Sequence, residues 1–139
     1  YRIEFEDSDR NISIFCGQSI FIKFVFLSEN NESNLGVALV VKRFDETVVF
    51  GSGSNVQGVL TDGSSSKWYV NIDLGKIPIN EGNYSIDLYF VTGDTQIAKF
   101  SNAISLEVGS SDVFGGGKII PSSKHWGDFY WESNWNISI

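Results

Sequence analysis

The chain has no methionine, one histidine (His125), one cysteine (Cys16) and only 2 prolines. A single cysteine cannot close an internal disulfide, which excludes the stapled scaffolds of small secreted domains. A single histidine cannot build a zinc cluster, and no Ser-His or Cys-His pairing is identifiable, so His125 reads as a surface residue in a loop. Cations are scarce as well: 10 Lys and Arg stand against 17 Asp and Glu, a net charge of −7. Phosphate backbones and anionic lipid are held by clustered Lys and Arg, so nucleic acid is excluded as a partner. No apolar run is long enough to span a bilayer, and no charged start followed by an apolar stretch marks a signal peptide. A reducing cytoplasm is the expected setting. Beginning at Tyr1 without a methionine, the chain is expected to be a piece of a longer polypeptide whose upstream part holds any catalysis.

What the chain does have is the length of one domain, enough to bury a core without disulfides, and strict alternation. Residues 81–91, EGNYSIDLYFV, open on a turn signal. Tyr84, Ile86, Leu88 and Phe90 then share one parity and Ser85, Asp87 and Tyr89 the other, as in a half-buried strand. The same pattern predicts strands at 1–6, at 19–27 (Ile20, Ile22, Phe24 and Phe26 inward, Lys23 outward) and at 35–44. A turn at Asp45 and Glu46 and a return strand at 47–50 complete a hairpin. Further strands are predicted at 67–74, 96–100 and 103–108, with Trp68, Val70, Ile72 and Leu74 inward in the first of these. The polar cluster from Asp7 to Asn11 closes the first strand. SENNESN, 28–34, reads as a loop, and the Gly- and Ser-rich 51–66 is too long for a tight turn and reads as a loop of the kind that carries binding. No segment sustains a helical period. Evenly spaced strands without helices predict an all-β sandwich or barrel. Residues 109–129 form a Gly/Ser-rich tether, and 130–139 alternate again as a terminal strand that either folds back or reaches a second copy of the chain.

Several chemistries fail on inspection. GGGK at 115–118 lacks the spacing and following helix of a phosphate-binding loop. Most carboxylates lie in turns or on outward parities, without the apolar surroundings that raise a glycosidase acid. The Asp- and Asn-rich loops lack calcium-loop spacing, so no metal is expected. Four Asn-x-Ser sequons, at Asn11, Asn31, Asn83 and Asn136, are discounted, because a chain so rich in Asn and Ser gives about two by chance.

The phrases CGQSIFIKFVF, VVFGSGSN, LGKIPINEGNYSIDLYF and FSNAISLEV, followed by a Gly-containing tail with Trp, occur in this order. In that combination the chain resembles the C-terminal carbohydrate-binding domain of the ATPase subunit of O-antigen polysaccharide ABC exporters, the Wzt type. The Gly-x-Tyr phrase is intact at Gly82 and Tyr84. The Phe-Gly phrase at Phe50, Gly51 and Asn55 is longer than the family's, and the tail between Trp126 and Ile139 departs from it. The resemblance implies an immunoglobulin-like antiparallel β-sandwich, a homodimer with an exchanged C-terminal strand, and an ATPase domain upstream that joins it to a membrane subunit. It implies a non-catalytic, cofactor-free module that holds the non-reducing end of a lipid-linked polysaccharide at the inner face of the cytoplasmic membrane.

Sugar recognition needs an aromatic ring for the apolar pyranose face and polar groups for its hydroxyls. The outward parities supply both: Tyr69, Asn71 and Asp73 on one strand, Asp87 and Tyr89 on another, adjacent if the two strands pair. Lys23, Lys42 and Arg43 are candidates for an acidic terminal sugar, although Arg43 could instead cap the core at a sheet edge. Trp68 and Tyr84, on inward parities, read as core. Trp126, Trp131 and Trp135 either wall a site or close the exchanged strand. The competing reading is a structural, adhesin-like sandwich whose partner is a protein and which would expose a broad apolar patch.

Overall fold

The computed structural model of the chain describes residues 1–6, 9–59 and 61–139. Eight strands are present among them: β1 (Arg2–Glu4), β2 (Asn11–Phe15), β3 (Ser19–Ser33), β4 (Leu35–Lys42), β5 (Val48–Gly53), β6 (Ser64–Lys76), β7 (Gly82–Thr92) and β8 (Thr95–Gly109). One helical turn, α1 (Ser123–Trp126), follows. They form two sheets, β1-β3-β6 and β2-β8-β7-β4-β5. Of the all-β sandwich or barrel expected from the alternation, the sandwich is the observed architecture. One pair departs from an antiparallel plan, since β2 runs parallel to β8. The polar cluster at 7–11 is described only in part, because Asp7 and Ser8 lie outside the described residues. Its last residue, Asn11, opens a strand that the periodicity did not predict.

Inward residues of both sheets meet in one core. Phe26 of β3 stacks on Phe90 of β7 with ring centroids 4.0 Å apart, and Phe24 and Phe100 meet Phe90 edge-on. Ile20, Ile22, Leu39, Ile86, Leu88, Ile104 and Leu106 fill the space around them. Each such buried side chain contributes about 1.5–3 kcal/mol relative to exposure. Trp68, Val70, Ile72 and Leu74 of β6 are half-buried against this core, as their parity predicts.

Several boundaries differ from the expected ones: of the stretch 51–66 read as a loop, 51–53 belong to β5 and 64–66 to β6. Residues 28–33 continue β3 rather than forming a loop, because Glu32 and Ser33 pair with Ser65 and Ser64 after a register shift. The predicted strands at 96–100 and 103–108 are one strand, β8, interrupted by a bulge opposite Asp87. Asn102 sits in that bulge with φ 52°, a left-handed conformation that Asn tolerates better than most residues.

The Gly-x-Tyr phrase has a steric cause. Tyr84 turns its ring back over Gly82, where an added Cβ would lie 3.2 Å from the phenol oxygen. Its hydroxyl donates to the Asn80 carbonyl at 2.9 Å, the arrangement known as a tyrosine corner in immunoglobulin-like sandwiches.

Residues 130–139 do not form a strand within one chain. Tyr130 is buried, but 131–139 are exposed throughout and lie along neither sheet. The 109–129 segment, expected as a tether, is docked on the sandwich. Ile120 is buried in the core, Asn80 donates to the carbonyls of Pro121 and Gly127, and Ile79 bridges Phe129.

Candidate functional site

The three-stranded sheet turns one face to solvent, and antiparallel register decides what lies there. Lys23 pairs with Asn71, Val25 with Tyr69 and Phe21 with Asp73 across β3 and β6. Residues directly opposite share a face, so Phe21, Lys23, Tyr69, Asn71 and Asp73 form one patch. Tyr69 is 71% exposed and Phe21 65%. The Lys67 ammonium lies 5.3 Å from the Tyr69 ring centroid, over one of its faces. A small recess beside Tyr69 and Asn71 is lined by Lys23 together with Glu4, Glu6 and Asp9.

β6 is an edge strand, and beyond its free edge the two sheets part. The resulting groove has a volume of about 320 Å³ and runs between β6 and the β4-β5 pair. That is near the lower bound for small-ligand sites. Tyr69, Asn71 and Asp73 stand at its lip, Val37, Leu39, Trp68 and Ile72 form its floor and walls, and Ser52, Gln57 and Thr61 add polar groups. The loop that borders it is ordered by hydrogen bonds to β4. Ser54 N donates to the Val37 carbonyl at 2.8 Å, Val37 N donates back to Ser54 Oγ at 2.9 Å, and Thr61 Oγ1 donates to the Leu35 carbonyl at 3.2 Å.

The expected juxtaposition of Tyr69, Asn71 and Asp73 with Asp87 and Tyr89 does not occur. β6 and β7 belong to different sheets, so their outward residues point away from opposite sides of the sandwich. Asp87 and Lys42 are not on a free surface either, both being about 5% exposed. Their charges lie 3.2 Å apart, and Lys42 also pairs with Glu46. Asp87 accepts the Asn102 N–H at 2.7 Å, and Asn102 Oδ1 accepts from Ser85 Oγ at 2.9 Å. Glu46, chiefly, and Asp87 raise the Lys42 pKa against the opposing effect of burial. The outward parity was read correctly, but a β-bulge folds over this position and requires a buried acceptor.

Tyr89 lies beside Lys99, whose ammonium is 5.3 Å from its ring centroid on the outer face of the five-stranded sheet. Arg43 closes a bidentate pair with Asp128 of the docked segment. It thus tethers 109–129 to the end of β4 rather than waiting for an anion. The Arg43 pKa is raised, chiefly by its hydrogen bond to Asp128. Of the seven expected ligands, Lys23, Tyr69 and Asn71 come together. Lys42 and Asp87 neutralise each other, Arg43 is engaged, and Tyr89 stands apart.

Sequence reading missed Ser52, Gln57 and Thr61 as individuals, although it marked their stretch as a binding loop. Nothing in alternation tells which side chains of a Gly- and Ser-rich stretch face a groove. His125 is exposed on α1, and Cys16 is buried, with desolvation raising its thiol pKa.

Two packed sheets, a tyrosine corner and a groove at an open sheet edge define an all-β sandwich domain of the immunoglobulin-like kind. The crystal structure of the C-terminal domain of Wzt has this fold. It superposes with a TM-score of 0.65 at 18% identity, over 91% of this chain and 74% of that one. No protein-family model matches the sequence, and no curated protein matches it. At this identity the likeness establishes the fold, in agreement with the resemblance carried by the motifs.

Proposed function

We propose that this domain is a non-catalytic carbohydrate-binding module that holds the non-reducing end of a lipid-linked O-polysaccharide and licenses its export by an ABC transporter. The observation that carries the reading is the groove beside β6, where an exposed tyrosine, an amide and a carboxylate border an apolar floor. A pyranose offers the complement, a ring face of C–H groups for Tyr69 and hydroxyls for Asn71, Asp73 and Gln57. The shared fold with the C-terminal domain of Wzt supports the same assignment.

Binding without turnover fits the lining, because Asp73 is the sole carboxylate among the described groove residues. Glycoside hydrolysis ordinarily uses two, facing each other across the scissile bond. In this reading the ATPase lies upstream, the domain works at the cytoplasmic face of the inner membrane, and the transporter's membrane subunit is reached through that ATPase. The exposed apolar tail, with Trp131 80%, Trp135 82% and Ile137 87% exposed, favours a protein contact as well. We assign that contact to a second copy of the chain, with 130–139 as its exchanged strand.

Saturation-transfer NMR with purified O-polysaccharide, intact and stripped of its non-reducing terminal group, tests the function. Signal confined to the intact chain end supports end recognition. Equal signal along both polymers would reduce the domain to a general glycan binder, and no signal from either would leave a protein-binding sandwich as the better account.

A further inference from the structure

Residues 110–130 form a strap that is held to the sandwich at points rather than along a ladder. Among the described residues, its strand-type pairing is the single bridge between Ile79 and Phe129. At the near end Ser111 Oγ donates to the Cys16 carbonyl at 2.9 Å, and Val113 lies over Gly17. At the far end Ile120 and Tyr130 are buried, the Asn80 N–H donates to the Asp128 carbonyl at 2.7 Å, and the Tyr130 N–H donates to the Pro78 carbonyl at 3.0 Å. Between these ends Gly115, Gly116 and Gly117 stand clear of the sandwich, since a Cβ added at any of them would meet no atom within 4 Å. The Gly117 N–H is held by Asp112 of the strap itself. A unit attached by so few buried side chains opens at less cost than strands paired along their length. Of its attachments, the bidentate Arg43–Asp128 pair is charge-assisted and therefore among the strongest. It also keeps one partner in water, the Arg43 side chain being 44% exposed against 16% for Asp128, so the guanidinium is readily solvated again when the pair parts.

We propose that the strap opens and shuts as one unit while both sheets stay folded, with the Arg43–Asp128 pair as its latch. Shut, the strap fixes the departure of 131–139 at Tyr130. Open, it adds roughly twenty residues to that tail and lengthens its reach by up to roughly 70 Å. The latch thereby sets how far the tail can travel to find a strand edge, and the opening is independent of what the groove binds.

The test is amide-resolved native-state hydrogen exchange of the whole chain at urea concentrations below the unfolding transition. The Asn80 and Tyr130 amides, whose hydrogen bonds join the strap to the body, should exchange through one shared opening that is nearly insensitive to urea. Ile86 and Leu88 of β7 should exchange more slowly and only through global unfolding. Arg43→Ala should speed exchange at Asn80 and Tyr130 by about three- to tenfold and leave β7 unchanged. Arg43→Lys, which keeps the charge but loses the two-pronged geometry, should fall between the two. Asp128→Ala should match Arg43→Ala, and the double variant should open no further than either single one. Exchange at Asn80 and Tyr130 in step with β7, or with urea dependences that differ between the two amides, would overturn the unit opening. Additive effects of the two variants, no effect from either, or equal acceleration of β7 would overturn the latch.

Discussion

Lys42 and Asp87 stand on the outward parity of adjacent strands, yet both are buried, with their charges 3.2 Å apart. Asp87 also caps the Asn102 N–H in the β8 bulge, so one carboxylate serves an ammonium and a strained backbone position together. Removing one partner of a buried pair leaves the other uncompensated, whereas replacing both with apolar groups is far less harmful. Asp87→Ala is expected to lower the urea midpoint more than Lys42→Met. The Lys42→Met/Asp87→Leu double variant should recover part of the loss but not all, because the Asn102 N–H stays without its acceptor. Additive losses in the cycle would show that the two charges do not act as a unit.

Alkaline pH should unfold the domain through Tyr84. Burial, with Asp128 next, pushes its phenol up to about 12 from 10.0. An acid with a raised folded-state pKa contributes stability that is complete below its unfolded value and is lost as pH climbs through its folded one. Stability should therefore fall between about pH 10 and pH 12. Cys16 adds loss in the same direction above its ordinary 9.0, and the raised Lys42 loses its pairing as pH passes above 10.5. Tyr84→Phe should cost roughly 1 kcal/mol near neutrality through the lost bond to Asn80. It should also flatten the alkaline limb, read from denaturant midpoints against pH. An unchanged limb would move the titration to other groups.

Asn80 is fully buried and carries the docked segment on its side chain, donating to Pro121 and Gly127. Asn80→Ala should destabilise the fold by about 1–2 kcal/mol, since it removes the two hydrogen bonds by which a fully buried side chain holds the segment. Arg43→Ala, with the Arg43 side chain 44% exposed, should act more gently and more locally. Hydrogen exchange can separate them: both variants should accelerate exchange at the Asn80 and Tyr130 amides, which are bonded to Asp128 and Pro78, while only Asn80→Ala should accelerate β7.

Alternation made the core legible, because Tyr84, Ile86, Leu88 and Phe90 could lie on one face of a strand and nowhere else. It could not say which strands share a sheet. β6 and β7 are consecutive in sequence, and consecutive strands usually neighbour each other, but Lys76 to Gly82 cross from one sheet to the other. That crossing separates Tyr69 from Tyr89 and divides the expected site in two. The burial of Asp87 was equally hidden, since a bulge in β8 is set by pairing rather than by pattern. Arg43 looked free because its partner, Asp128, is 85 residues away in a stretch that composition alone reads as a loose tether.

The division of the two tyrosines makes a binding prediction with a built-in control. Both are paired with a lysine at 5.3 Å and both lie on outer strand parities, but only Tyr69 borders the groove. Tyr69→Ala should weaken glycan binding about tenfold, in line with the loss of one stacking contact and its buried area. Tyr89→Ala should leave it unchanged, and both variants should keep the wild-type melting temperature within a few degrees. Binding lost at Tyr89 instead would place the site on the five-stranded sheet.

The tail is the last element that a single chain leaves unsatisfied. Trp131, Trp135, Ile137 and Ile139 are all exposed, and they share one parity, as a strand requires if one face is to be buried. A run of this kind in solution binds something, because so much contiguous apolar surface is rarely left in water. The docked segment ends at Tyr130, whose N–H is held by the Pro78 carbonyl, so the tail leaves from a fixed point and its reach is short. Pairing with a second copy, as proposed above, would bury the apolar parity of both tails under one two-fold relation. Light scattering on the whole chain should therefore give a dimer, and removal of 131–139 should give a folded monomer with an unchanged far-ultraviolet spectrum. Trp135→Ser should weaken the dimer at low micromolar concentration without unfolding it. A monomer for the intact chain at high micromolar concentration would return the tail to a partner of another kind.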